Sequence, residues 1–307
     1  MKLSEINVEW RQIHLKGRIY IEKPIMVNYR MDRHWEHIDY HSHQEYEIYF
    51  FHAGSCRYLI HDQIYELEPG DILLMDGMAL HKPNIPPNSE YIRSMIHFSP
   101  EWIEGALKEV GGLNLLDVFQ KLHYCLIRTN ENEESRQLEK MISRLEEVQR
   151  NSDFTGMAKE TEMKILLLQI LVHVNRLGQV ESLKLPGKKA EKEEHAENIA
   201  AYIQENYHHK ISVSSIAEAL NLSKSYTSHV FKEMTGFTIM EYVMGCRLNR
   251  VKHLLETEPK KALKEIAHES GFESVSHFSR YFKEKVGMTA KIYRNLRQKK
   301  TSEENGL

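Results

Sequence analysis

One pattern occurs twice near the C-terminus: Ile216-Ala217-Glu218-Ala219-Leu220-Asn221-Leu222-Ser223 and, fifty residues later, Ile266-Ala267-His268-Glu269-Ser270-Gly271-Phe272. Each copy continues into a second block, residues 227–232 before Gly236 and residues 278–283 before Gly287. The offset grows from 50 to 51 residues between the blocks, so the second copy has one residue inserted in its turn. The chain therefore contains a duplicated structural unit.

Each copy has the pattern of a helix-turn-helix unit. Asn221 and Gly271 stand where the short first helix must stop, and both residue types tolerate a left-handed backbone. Ser223 and Ser274 stand where the second helix needs a side chain to cap its first free N–H groups. Matched stops and caps in both copies predict two tandem helix-turn-helix units.

The second helix of each unit is predicted to present a small, polar or basic face, which suits insertion into the major groove of DNA. With the apolar positions inward, the outward residues are Ser225, Ser228, His229 and Lys232 in the first copy, and Val275, Ser276, Ser279, Arg280 and Lys283 in the second. We expect Arg280 to pair with guanine and Val275 to contact a thymine methyl group. Lys232 and Lys283 lie further along and are expected to meet phosphates.

The residues between the copies, 238–256, predict one connecting helix. Nineteen residues at about 1.5 Å each span roughly 28 Å, close to one duplex turn of about 34 Å. Such a helix would hold both recognition helices on one face of DNA. Arg247 and Arg250 are predicted to point to phosphates or to acidic partners within the domain.

With these motifs, residues 195–297 resemble the DNA-binding domain of the AraC/XylS family of transcription regulators. The resemblance extends to Arg247 with Leu254-Leu255 and to the closing Tyr293-Arg294. Ala290 departs from the family pattern, which usually has proline there, and this departure concerns the start of the last helix rather than DNA contact. The resemblance implies an effector-responsive, homodimeric regulator that binds double-stranded DNA and, as an activator, RNA polymerase.

Charge is distributed unevenly along the 307 residues. Residues 210–300 contain 17 Lys and Arg against 9 Asp and Glu, whereas the remainder has 24 against 35. A basic part joined to an acidic part favours contact with a polyanion at the C-terminal end alone.

The same sequence favours a cytoplasmic protein. No apolar run approaches the ~20 residues of a membrane helix, and the N-terminus lacks the features of a secretory signal. Cys56, Cys125 and Cys246 form no CxxC pair and fit reduced thiols.

Turn signals and short apolar runs over about residues 15–100 predict the strands of a small barrel or jelly roll. Residues 101–180 change to a helical period, with apolar stripes over 138–148 and 163–174. Either these helices bury their stripes against each other, or a surplus of one stripe forms a dimerisation surface. We expect an α+β fold: a cupin-like β-barrel with a helical dimerisation segment over 1–180, a linker over 181–194, and an all-α double helix-turn-helix domain over 195–307.

The spacing His41-x-His43-x-x-x-Glu47 resembles the first cupin motif, and His81 is a candidate fourth ligand from a looser second motif. Residues 41, 43 and 47 share a parity and therefore one face of a strand. Three interpretations stay open: these groups bind a divalent transition metal, they line a metal-free pocket for a small effector such as a carbohydrate, or they are polar residues at a barrel mouth. Further candidates for the effector pocket are Arg30, Trp35, Tyr49, Tyr58, Arg93 and His97.

Two classes of function therefore compete. The sequence favours a sequence-specific DNA-binding regulator without enzymatic activity, which responds to a small molecule. The alternative is a metal-dependent cupin enzyme with a helical appendage, and that alternative leaves the paired repeat unexplained.

Overall fold

The computed structural model describes residues 24–32, 45–77, 80–122, 124–129, 132–151, 156–181 and 190–304. The strands of the N-terminal part are β1 (Ile25–Met31), β2 (Tyr46–Gly54), β3 (Cys56–Ile60), β4 (Gln63–Leu67), β5 (Asp71–Met75), β6 (His81–Asn84), β7 (Tyr91–Phe98) and β8 (Tyr124–Arg128). Its helices are α1 (Pro100–Glu109), a 3-10 turn (Leu113–Leu116), α2 (Asp117–Leu122), α3 (Glu133–Arg150) and α4 (Met157–Glu181).

The described strands form two antiparallel sheets and no closed barrel, which corrects the predicted barrel. The larger sheet has the order β1-β7-β2-β5-β8, and the smaller has the order β4-β3-β6. Side chains from both sheets, such as Tyr49 and Tyr58, pack in one hydrophobic core between them, so the sheets face each other.

Strand β8 lies inside the segment that the sequence predicts as helical, and it pairs with β5 at Leu74 and Cys125. A short apolar run does not distinguish a strand from a buried helix by periodicity. The helical prediction was wrong for these residues.

The outer face of the larger sheet is covered by helices. Ile48, Ile72 and Ile96 of the sheet share one hydrophobic core with both predicted stripes. The buried members of the stripes are Leu138, Ile142, Leu145 and Val148 on α3, and Met163, Leu167, Ile170, Leu171 and Val174 on α4. The two stripes therefore bury each other and the sheet, although Met157 and Ile165 of α4 stay exposed.

The C-terminal part is helical. Its helices are α5 (Glu191–Asn206), α6 (Val213–Ala219), α7 (Lys224–Thr235), α8 (Ile239–Thr257), α9 (Leu263–Glu269), α10 (Val275–Val286) and α11 (Ala290–Glu304). Residues 191–194, predicted as linker, form the first turn of α5. Helix α8 is the predicted connecting helix, and Thr238 caps it. No described helix is long and apolar enough to cross a membrane.

Two separate cores support the two helix-turn-helix units. Phe231 and Tyr242 belong to the first core, and Phe278 and Phe282 belong to the second. The mixed α and β fold with a helical C-terminal part is confirmed.

The predicted stops and caps are also confirmed. Asn221 and Gly271 have left-handed backbones, with φ of 54° and 85°. The side chain of Ser223 accepts a hydrogen bond at the start of α7, and that of Ser274 does so at the start of α10. These local choices fix where each recognition helix begins.

Candidate DNA interface and effector site

The recognition helices α7 and α10 each have one buried and one exposed face. Val230 and Phe231 of α7 are buried, as are Phe278 and Phe282 of α10. The exposed positions include all nine predicted DNA contacts: Ser225, Ser228, His229, Lys232, Val275, Ser276, Ser279, Arg280 and Lys283. Both helices therefore present the predicted polar and basic surface.

The connecting helix uses its two arginines inside the domain. Arg250 Nη2 donates to Glu269 Oε1 at 2.8 Å, so of the two predicted alternatives Arg250 meets an acidic partner within the domain. Arg247 Nε donates to the Tyr207 carbonyl at 2.7 Å, and its Nη2 donates to the His209 carbonyl at 2.9 Å. Carbonyls at the end of a helix need donors, and Arg247 supplies them at the end of α5 rather than binding an acidic group.

His277 is a candidate DNA contact that the sequence reasoning missed. It is exposed in the first turn of α10, between Ser276 and Phe278. Its ring meets Phe272 edge to face, with centroids 5.8 Å apart, and lies 6.2 Å from the ring of Tyr281. The aromatic neighbours hold the imidazole close to the predicted contacts.

The space between the two sheets contains most of the predicted effector residues. We call the following buried side chains the interior cluster: Glu47, Tyr49, Tyr58, His81, Tyr91, Arg93 and His97. Each is at most 3% exposed. The sequence reasoning missed Tyr91, although it shares the parity of Arg93 and His97 on β7.

One carboxylate lies between two imidazoles in the interior cluster. Glu47 Oε2 lies 3.4 Å from His81 Nε2 and 3.3 Å from His97 Nε2. Burial alone would lower the pKa of His97, but attraction to Glu47 outweighs burial and raises this pKa above its ordinary value. The raised pKa favours the protonated form of His97 beside the Glu47 carboxylate.

Aromatic rings form the rest of the interior cluster. Tyr49 OH donates to Tyr91 OH at 2.8 Å, and the Arg93 guanidinium lies 4.4 Å from the centre of the Tyr91 ring. Tyr58 stacks with His81 at a centroid distance of 6.3 Å. Burial raises the pKa of Tyr49 and of Tyr58 well above the ordinary value, so both hydroxyls stay neutral hydrogen-bonding groups.

Arg30 does not join the interior cluster. Its Nε donates to Glu139 Oε1 of α3 at 2.7 Å, and its backbone is left-handed with φ of 44°. The pairing of β1 with β7 is irregular between Asn28 and Met31. Arg30 was a pocket candidate because its side chain is a charged donor, and at this irregularity that side chain pairs with α3 instead.

Three predicted site residues, Trp35, His41 and His43, lie outside the described residues. Within the described part of the chain, no group of three or more His, Cys, Asp or Glu side chains is arranged to hold a metal ion. The residues that are described thus do not form a metal centre by themselves, and the four-ligand hypothesis depends on His41 and His43.

Comparisons with known proteins agree with this division. Residues 25–166 match the family model described as AraC-like ligand binding domain, and residues 216–296 match a helix-turn-helix domain. The Msm operon regulatory protein of Streptococcus mutans is 26% identical over 253 residues, which cover 81% of this chain and 84% of that protein.

Two further relatives are regulators by name. The HTH-type transcriptional activator RhaS of an Enterobacter species is 22% identical over 84% of this chain and 87% of its own length. The melibiose operon regulatory protein of Escherichia coli is 32% identical over 99 residues, 32% of each chain. With both domains matched, the chain belongs to the AraC family of DNA-binding transcription regulators.

Proposed function

We propose that the protein is an effector-responsive activator whose helices α7 and α10 read adjacent segments of one DNA site. The exposure of all nine predicted contacts on two equivalent helices supports this proposal. Arg280 reads a guanine through its two-pronged guanidinium, and Lys232 and Lys283 bind phosphates. Binding is therefore sequence-specific and weakens as salt rises, because bound cations are released from the phosphates.

The effector site is the interior cluster, and its ligand is a small polyhydroxylated molecule of the carbohydrate class. Buried aromatic faces pack against the C–H faces of a sugar ring. Glu47 and Arg93 offer charged hydrogen-bonding groups to its hydroxyls, and His81 offers an imidazole. The melibiose operon regulator among the relatives supports a sugar as ligand.

The active form is a homodimer that meets its DNA and RNA polymerase in the cytoplasm. Met157 and Ile165 leave an apolar part of α4 exposed, which supports pairing of two copies along this helix.

The test is genome-wide footprinting with the purified protein, followed by thermal unfolding with a panel of monosaccharides and disaccharides. Protection of a discrete site and a ligand-dependent rise in Tm are expected. Stoichiometric metal together with turnover of a substrate would instead favour the enzyme alternative, and uniform coating of DNA would contradict sequence-specific regulation.

A further inference from the structure

The smaller sheet has the interior cluster on one side and the DNA-binding part on the other. Side chains of a strand alternate between its two faces. Thus Tyr58 of β3 and His81 of β6 point into the interior cluster, whereas their neighbours Leu59 and Lys82 point outward. We call this sheet, β4-β3-β6, the docking sheet. It is a single layer of strands, so only its backbone separates the interior cluster from the DNA-binding part.

Strand β6 holds the end of the first recognition helix. Asn84 Nδ2 donates to the carbonyls of Glu233 and Met234 in the last turn of α7, at 3.1 and 2.9 Å. The last carbonyls of a helix need donors from outside the helix, so Asn84 caps the C-terminus of α7. Lys82 Nζ lies 3.7 Å from the centre of the Phe237 ring, just beyond the helix.

The remaining contacts make the docking sheet part of the first unit's core. Leu59, Ile64 and Leu80 are buried in the hydrophobic cluster of that unit. The Ile64 backbone N–H donates to Glu197 Oε1 of α5 at 2.8 Å. The Tyr242 hydroxyl of α8 donates to the His61 carbonyl. An apolar seam with buried hydrogen bonds moves as a unit with the helices that it touches.

This contact leaves the DNA-facing side of α7 accessible. Ser225, Ser228 and His229 are exposed while Asn84 holds the opposite end of the helix. The docked arrangement therefore does not mask the recognition face of the first unit.

We infer that β6 couples the interior cluster to the first recognition helix: a change around His81 is transmitted through Asn84 to the last turn of α7. The inference rests on the proposed effector site. In this inference the effector acts through the docking sheet and changes how firmly the last turn of α7 is held. It does not act by covering the DNA-binding face of α7. Because a packed sheet is not freely deformable, a small displacement on one face reaches the other.

The experiment measures hydrogen exchange of the α7 amides in the full chain, without DNA or ligand. Asn84→Ala removes the cap, and His81→Gln alters the interior side of the same strand. The matched control is Ser94→Ala, a buried polar change on β7 of the larger sheet outside the interior cluster, which removes the hydrogen bond from the Arg30 backbone N–H. Thermal unfolding verifies that each variant is folded.

We expect Asn84→Ala to raise exchange over residues 230–237 at least about fivefold, the effect of losing both hydrogen bonds that Asn84 donates. His81→Gln should raise exchange in the same segment, with no further rise in the double variant. Ser94→Ala should leave it unchanged. The inference would be overturned if the exchange rate of the double variant rose by the product of the two single effects. It would also be overturned if neither single variant changed the exchange rate. Failure of the wild-type chain to bind DNA would contradict the proposed function without altering these exchange rates.

Discussion

Ser223 and Ser274 occupy equivalent positions in the two helix-turn-helix units and perform the same task. Ser223 Oγ accepts from the Tyr226 N–H and Ser274 Oγ accepts from the His277 N–H, both at 3.2 Å. The caps fix the first turns of α7 and α10, which carry the proposed base contacts.

Replacing either cap by alanine should therefore weaken both folding and DNA binding. Ser223→Ala and Ser274→Ala are each expected to lower the free energy of unfolding by about 1 kcal/mol, measured by urea denaturation. Ser→Asp at the same positions is the control, since aspartate also caps helices. Equal loss with Asp and Ala would show that the cap is not the cause.

Gly236 and Gly287 test the contact between the two domains. Both end a recognition helix with φ of 77°, so alanine should cost about 1 kcal/mol at either site. At Gly236 an added Cβ would also lie 2.9 Å from Asn84 Oδ1. We expect Gly236→Ala to be the more destabilising, and Asn84→Ala to remove the difference. The same loss at both glycines would contradict a close docked contact.

Arg280 and Lys283 should behave differently on DNA. Arg280→Ala is expected to cost about 1–3 kcal/mol on the cognate site and little on unrelated DNA, because it removes a base contact. Lys283→Ala should weaken binding to all sequences. It should also reduce the slope of log K against log salt concentration by about one, the contribution of one phosphate contact. Fluorescence anisotropy over a salt series measures both. A uniform loss with Arg280→Ala would reassign it to a phosphate.

His52 should make the N-terminal domain sensitive to acid. The ring is 3% exposed, and its Nε2 lies 2.7 Å from Ser94 Oγ. Burial lowers the pKa of His52 to about 4, even though Glu139 opposes the shift. The unfolded chain, with a pKa near 6.5, then binds the proton first, so stability is lost as pH falls from about 6.5 toward about 4.

At pH 5 this loss amounts to about 2 kcal/mol for the wild type. Urea denaturation of wild type and His52→Gln at pH 5 and pH 7 measures it. The variant should lose less stability between the two pH values, and the opposite contribution of His97 is common to both proteins. An unchanged pH dependence in the variant would contradict a neutral buried His52.

The sequence predicts local features well. The helix ends at Asn221 and Gly271 and the caps at Ser223 and Ser274 depend on neighbouring residues, so the helix-turn-helix units were evident from the sequence. Glu47 and Arg93 were likewise pocket candidates from the sequence, and both lie in the interior cluster.

Features that depend on distant residues were not predictable. Asn84 contacts carbonyls 149 and 150 residues away, and no periodicity indicates such a pair. Arg30 was misplaced because an irregularity in β1 changes the direction of its side chain. Strand β8 was missed because its partner β5 lies far earlier in the chain.

The cap that Asn84 provides has a consequence for building hybrid regulators. A hybrid that joins residues 190–304 to an unrelated sensor would lose the side chain that closes α7 and would expose the apolar patch covered by Leu59, Ile64 and Leu80. The N-terminal and C-terminal parts are therefore not freely interchangeable between regulators. A functional hybrid has to include the outward-facing residues of β3, β4 and β6 together with the DNA-binding helices.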